Sequence, residues 1–282
     1  MQPNKPNARR GFTLIELSIV LVIIGLIVGG VLVGRDLIKA AEVRGTIAQL
    51  EKYQTAMNNF ILKYNAVPGD MTPATAQSLG LFTFQNGAAG TAGYGDNNGL
   101  IENSGPGRCV NEGNVFWRHL SETNMVDGQF GMTGNAALDA SGLPSGTLDD
   151  ASSLVPAAKL GGNVYINVSG LTTAMPVNWP MYKNYFMIEG LNGAFPGPPG
   201  CAPTNKIMPR DAYNIDVKMD DGLPNSGRAG MYYATAISWT ALPSGGGCTT
   251  GGSAATDTAS TYNISASSGT VRTCAVLMLL MQ

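Results

Sequence analysis

One carboxylate stands where carboxylates are costly. Glu16 is the single charged residue between Phe12 and Gly34, in the run FTLIELSIVLVIIGLIVGGVLVG. An ionised side chain inside a bilayer costs several kcal/mol unless it is paired or held at the interface. A hydrated position at the headgroup boundary would satisfy Glu16 alone. A cation supplied by assembly would satisfy it too: if the chain were cut after Gly11, the new α-amine on Phe12 would be that cation and could reach Glu16 of its own chain or of a neighbour.

Other polar clusters are candidates for a hard cation. Asp96, Asn98 and Glu102 lie in the segment DNNGLIE, whose oxygens suit calcium. The register of an EF-hand fails, because with Gly99 at the turn the twelfth position falls on Gly105. A plain acidic turn is the competing reading. Asp216, Asp220 and Asp221 form a second acidic group, the first two one helical turn apart.

Catalytic patterns are scarce. The single histidine, His119, has no second histidine to share a metal and reads as a packed helix residue. Gly93-x-Gly95 lacks the strand–turn–helix setting of a dinucleotide fingerprint, and no GxSxG, HExxH or P-loop occurs. No catalytic residue and no required cofactor is expected.

Four cysteines stand at 109, 201, 248 and 274, without a CxxC pair. An even count behind a membrane-targeting segment suggests two disulfides in an oxidising compartment. Three pairings are open. We favour Cys248–Cys274 with Cys109–Cys201, since the first joins a Gly-rich loop to the last expected strand.

The elements that position these residues follow from periodicity. Residues 1–11, MQPNKPNARRG, carry Lys5, Arg9 and Arg10 and no acid. Residues 12–34 span about 34 Å as a helix, enough for a hydrocarbon core of about 30 Å. The basic leader should stay cytoplasmic and place the rest on the far side. Gly25, Gly29, Gly30 and Gly34 form two GxxxG pairs, which suit close helix approach or local melting. Helix continues through residues 35–66, ending near Tyr64. Val43, Ile47, Leu50, Met57, Ile61 and Tyr64 make one apolar stripe, and Pro68-Gly69 stops it.

From residue 67 to 282 the composition turns to Gly, Ser, Thr, Asn and Pro. With 37 Gly, 16 Pro and 13% charged residues, this is a turn-rich head. A net charge of -2 gives no drive toward nucleic acid. Helices are predicted over 115–124 and 209–221, and strands over 163–169, 184–189, 231–239 and 271–281. The expected architecture is α+β: a long N-terminal helix, transmembrane then amphipathic, packed on an antiparallel sheet.

The stretch Arg10-Gly11-Phe12-Thr13-Leu14-Ile15-Glu16-Leu17 resembles the cleavage and methylation motif of type IV pilins, minor pilins and type II secretion pseudopilins. The segments 90–102 and 212–227, and the Phe116-Trp117 helix, resemble larger prepilin-like proteins less specifically. The resemblance implies that a prepilin peptidase cuts between Gly11 and Phe12 and methylates the Phe12 amine. It implies that Glu16 pairs with a neighbour's N-terminus during assembly. Other pilin subunits, an inner-membrane platform and, indirectly, its ATPase would be the partners. Major pseudopilins carry calcium in the head, but their ligand pattern does not map cleanly here. The implied location is the inner membrane, single-pass with a periplasmic head, then a pilus or pseudopilus. The head is longer than compact major pilins need, which favours a minor or specialised subunit. The alternative is a membrane-anchored binding or enzymatic domain whose leader only looks like a prepilin's.

Overall fold

A computed structural model describes residues 13–82, 95–102, 112–130, 137–138, 144–145, 154–170, 182–192, 202–204, 206–234, 239–240, 247–250, 261–264 and 274–280. The chain divides into two compact units, residues 1–42 and 43–282. The helices are α1 (Leu14–Tyr64), α2 (Pro73–Ser78), α3 (Glu112–Glu122) and α4 (Pro209–Met219). Strands β1 (Ala137–Leu138) and β2 (Pro144–Ser145) form a short hairpin, as do β8 (Thr249–Thr250) and β9 (Thr261–Tyr262). The main sheet contains β3 (Val164–Gly170), β4 (Asn184–Asn192), β10 (Ala275–Leu279), β6 (Ala229–Ala234) and β7 (Trp239–Thr240), in that spatial order. β5 (Ala202–Thr204) also pairs with β4, and every pairing is antiparallel. This is the α+β layout expected for a pilin-like fold.

In the first unit, the helix exposes large apolar side chains from Leu14 to Ile38. Gly25, Gly29, Gly30 and Gly34 each have open space where a Cβ would go. Among the described residues, α1 is the one helix long and apolar enough to cross a membrane.

In the second unit, the amphipathic half of α1 has a buried face. Val43, Thr46, Leu50, Tyr53, Ala56, Met57 and Phe60 are buried, and Ile47, Ile61 and Tyr64 pack partly against the core. The stripe is therefore wider than apolar spacing alone indicated, because Tyr53 and Phe60 are also core residues. Tyr53 meets Trp117 edge-on at 4.8 Å, and Trp117 stacks on Phe186 of β4 at 6.0 Å. Burying each such side chain contributes about 1.5–3 kcal/mol. Gln49 adds a polar lock: its Nε2 donates to Ala157 O at 2.9 Å and its Oε1 accepts from Lys159 N at 3.1 Å.

The last strand is central. β10 lies between β4 and β6, so both of its edges are paired, and successive residues Ala275, Val276, Leu277 and Met278 are buried, so both of its faces are covered. That position explains an apolar run without alternation. The outer edge of β3 is covered by residues 156–158: Ile166 N donates to Pro156 O, and Ala158 N to Val164 O. An open edge would invite pairing with other chains.

Several sequence expectations need correction. The predicted strand 231–239 is two strands, β6 and β7, paired antiparallel through Tyr233–Thr240 and Ala234–Trp239. Alternation continues on both sides of the reversal, so a period of two cannot reveal it. The helix predicted over 115–124 begins earlier, at Glu112, and ends at Glu122. The helix predicted to 221 ends at Met219. Helix α2 was not anticipated; Thr72 caps it by accepting from Thr75 N, and Pro73 occupies its first turn.

Candidate functional site

The N-terminal end of α1 is organised by two side chains. Thr13 N donates to Glu16 Oε2 at 2.8 Å, and Thr13 Oγ1 donates to the same oxygen at 2.8 Å. Glu16 N in turn approaches Thr13 Oγ1 at 3.3 Å. This is a capping box, which satisfies backbone donors at the helix start reciprocally. The sequence leaves Glu16 either hydrated at the headgroup boundary or paired with a cation supplied by assembly; in this chain its carboxylate also has local donors in Thr13. Gly11 and Phe12, the expected cleavage and methylation positions, lie outside the described residues.

The head gathers carboxylates differently from the sequence expectation. Asp70, Asp96 and Glu112 place one oxygen each within 4.8 Å of one another. Asp96 was foreseen there. Asp70 and Glu112 were not, since they join it only through the tertiary fold. Asp70 and Glu112 are buried and each accepts two backbone N–H groups. Asp70 takes Asn97 N at 2.8 Å and Gly99 N at 2.7 Å; Glu112 takes Gly95 N at 2.8 Å and Glu102 N at 2.6 Å. Asn184 of β4 completes the hold, accepting from Ile101 N at 2.8 Å and donating to Gly99 O at 2.9 Å.

Glu102 therefore enters through its backbone, and its side chain is not in the cluster. Asn98, also foreseen as a ligand, is used locally: its Nδ2 donates to Asp96 Oδ2 at 3.0 Å and its Oδ1 accepts from Leu100 N at 2.7 Å. The loop 95–102 is thus built around two buried carboxylates. Gly95 makes the approach feasible, because a Cβ there would sit 2.1 Å from Met71 O.

Burial dominates the electrostatics of this cluster. It raises the Glu112 carboxyl to about 8 and the Asp70 carboxyl to about 6, against the pull of the N–H donors. The second acidic group does assemble as foreseen: Asp216, Asp220 and Asp221 also lie within 4.8 Å of one another. Its oxygens serve the turn after α4. Asp216 accepts from Tyr262 OH at 2.6 Å and Gly222 N at 3.2 Å; Asp221 accepts from Leu223 N at 2.8 Å and Ser226 Oγ at 2.6 Å. Asp220 accepts from Arg228 N. Burial raises Asp216 to about 7.

Cys248 and Cys274 form a disulfide with a Cα–Cα separation of 5.5 Å. Cys274 immediately precedes β10 and also bridges Ile207, so this link ties the β8 segment to the centre of the sheet. Cys109 and Cys201 lie outside the described residues.

The carboxylates of these two head clusters accept hydrogen bonds from backbone N–H groups and from the side chains of Asn98, Tyr262 and Ser226. The N-terminal segment is where comparison with known proteins speaks. No curated protein and no solved structure matches the chain. Residues 6–32 match the family described as the prokaryotic N-terminal methylation motif, which covers Gly11, Phe12, Thr13 and Glu16. The chain carries the signal motif of type IV pilins and pseudopilins.

Proposed function

We propose that this chain is a filament-forming structural subunit, a type IV pilin, minor pilin or pseudopilin, with no catalysis of its own. A prepilin peptidase cuts it after Gly11 and methylates the new amine on Phe12. The apolar half of α1 holds the subunit in the inner membrane until an assembly platform, driven by its ATPase, inserts it into a pilus or pseudopilus. There, identical helices cover the side chains from Leu14 to Ile38, and Glu16 pairs with the amine of a neighbour.

The observation that carries this reading is the methylation motif at residues 6–32, running into a helix whose apolar side chains are exposed. The Cys248–Cys274 bridge supports a head in an oxidising compartment such as the periplasm. Crosslinking in the native host tests the proposal. A ladder of multimers that requires the peptidase is expected. Monomer alone, with the peptidase present, would contradict it.

A further inference from the structure

His119 is buried to 1% exposure, yet both ring nitrogens are engaged by backbone. Nδ1 accepts from Gly69 N at 3.1 Å, and Nε2 lies 2.8 Å from Phe82 O. An N–H can only donate and a carbonyl can only accept, so these partners require the neutral ring with its proton on Nε2. The ring also stacks on Phe60 at 5.9 Å. One imidazole therefore joins α1, the segment that follows it, residue 82 and α3.

The two ties respond differently to a second proton. The bond to Phe82 O survives, because Nε2 is a donor in either state. Phe82 is held further by its own N–H, which donates to Glu122 Oε2 at 2.9 Å, and by Arg118 over its ring at 3.7 Å. The Gly69 tie fails, because a protonated Nδ1 sets two donors against each other. Gly69 has little room to accommodate this. Its φ is +89°, and a Cβ there would lie 2.4 Å from Glu112 O, so it is pressed against the start of α3.

We propose that His119 is a proton-operated latch: the neutral ring ties the segment after α1 to α3, and protonation releases Gly69 and loosens residues 65–72. Burial lowers the affinity of the ring for that proton relative to an ordinary histidine. On its own helix Glu122 favours the charged ring and Arg118 opposes it. α1 contributes the uncharged Phe60, with Lys63 and Tyr64 one turn on; the segment after α1 contributes a backbone N–H, with Asp70 next in sequence. Residue 82 contributes a carbonyl. The latch is closed above about pH 6.5, the ordinary histidine value, and opens as pH falls through the lowered one.

Because the chain has a single histidine, a full-length sample labelled with ¹⁵N-histidine, in detergent micelles and without a histidine tag, reports on this ring alone. At pH 7.5 the Nε2–H tautomer is expected. As the ring charges below pH 6.5, amide exchange of residues 65–72, corrected for intrinsic pH dependence, should rise by about tenfold. His119→Gln, which keeps a donor for Phe82, should abolish that rise. A Nδ1–H tautomer at neutral pH, unchanged exchange while the ring charges, or an equal rise in His119→Gln would each overturn the latch. The ring and exchange measurements on the unaltered chain decide the matter if the variant does not fold.

Discussion

Thr13 and Glu16 satisfy each other: the Thr13 N–H and hydroxyl both point to Glu16 Oε2 at 2.8 Å. The lone acid of the apolar segment is therefore not idle in the single subunit. It caps its own helix, and the proposed pairing with a neighbour's amine would have to compete with that arrangement. The Thr13 bonds to an ionised Glu16 are already charge-assisted through the acceptor, and a cationic amine would add charge on the donor as well.

Glu16→Val is predicted to be cut after Gly11 as usual but to assemble poorly. A loss of about 1.4 kcal/mol at each subunit contact lowers association about tenfold, so filament yield should fall at least that far. Quantifying sheared filaments against processed subunit in the membrane checks this. Undiminished yield would remove the pairing role of Glu16.

The Cys248–Cys274 bridge closes a loop with a sequence separation of 26. Closure of a loop this size stabilises by about 3–4 kcal/mol. Cys248→Ser with Cys274→Ser should lower the urea midpoint by a corresponding amount, while the N-terminal cut proceeds unchanged. Denaturation in detergent, read by tryptophan fluorescence, provides the comparison. An unaltered midpoint would show that the bridge contributes nothing.

Asp70, Glu112 and Asp216 bind protons more tightly in the folded chain than in the unfolded one. Their stabilising contribution is full below ordinary carboxylate values, about 4. It is lost as pH rises through about 6 for Asp70, 7 for Asp216 and 8 for Glu112. His119 works in the opposite direction, losing its contribution as pH falls below about 6.5. The urea midpoint should therefore decline from about pH 6.5 to pH 8. Glu112→Gln should flatten that decline; an identical slope would contradict the assignment.

Asn114 and Trp117 occupy one face of α3, three residues apart, and the Asn114 amide and Trp117 Nε1 are buried without a hydrogen-bond partner among the described residues. A buried polar group left unpaired costs about 1–3 kcal/mol. Asn114→Leu should accordingly stabilise the head by about 1 kcal/mol, seen as a higher thermal midpoint. A lower midpoint would mean that the amide has a role in packing that its bonding does not show.

Some of this molecule can be read directly from residue order. The apolar run, its single acid and the amphipathic stripe are local patterns with helical period, and α1 from Leu14 to Tyr64 follows from them. A strand over 271–281 is expected and β10 lies within it, but its central place in the sheet rests on pairing with β4 and β6. What could not be read depends on contacts between distant residues. Asp70, Asp96 and Glu112 belong to separate segments and meet only because Gly69 and Gly95 let backbones approach closely. Glu102 and Asn98 have residue types that suit calcium, and what the sequence could not show is that Glu102 N–H bonds Glu112 and Asn98 Nδ2 bonds Asp96. The reversal between Ala234 and Trp239 was hidden because alternation has no direction.

The most direct measurement is the mass and N-terminal sequence of the protein purified from its native host, beside a Gly11→Val variant. N-methylphenylalanine at residue 12, with the variant heavier by the mass of residues 1–11, is the predicted result. An intact Met1 in the unaltered protein, with the peptidase present, would contradict the account and leave a membrane-tethered domain.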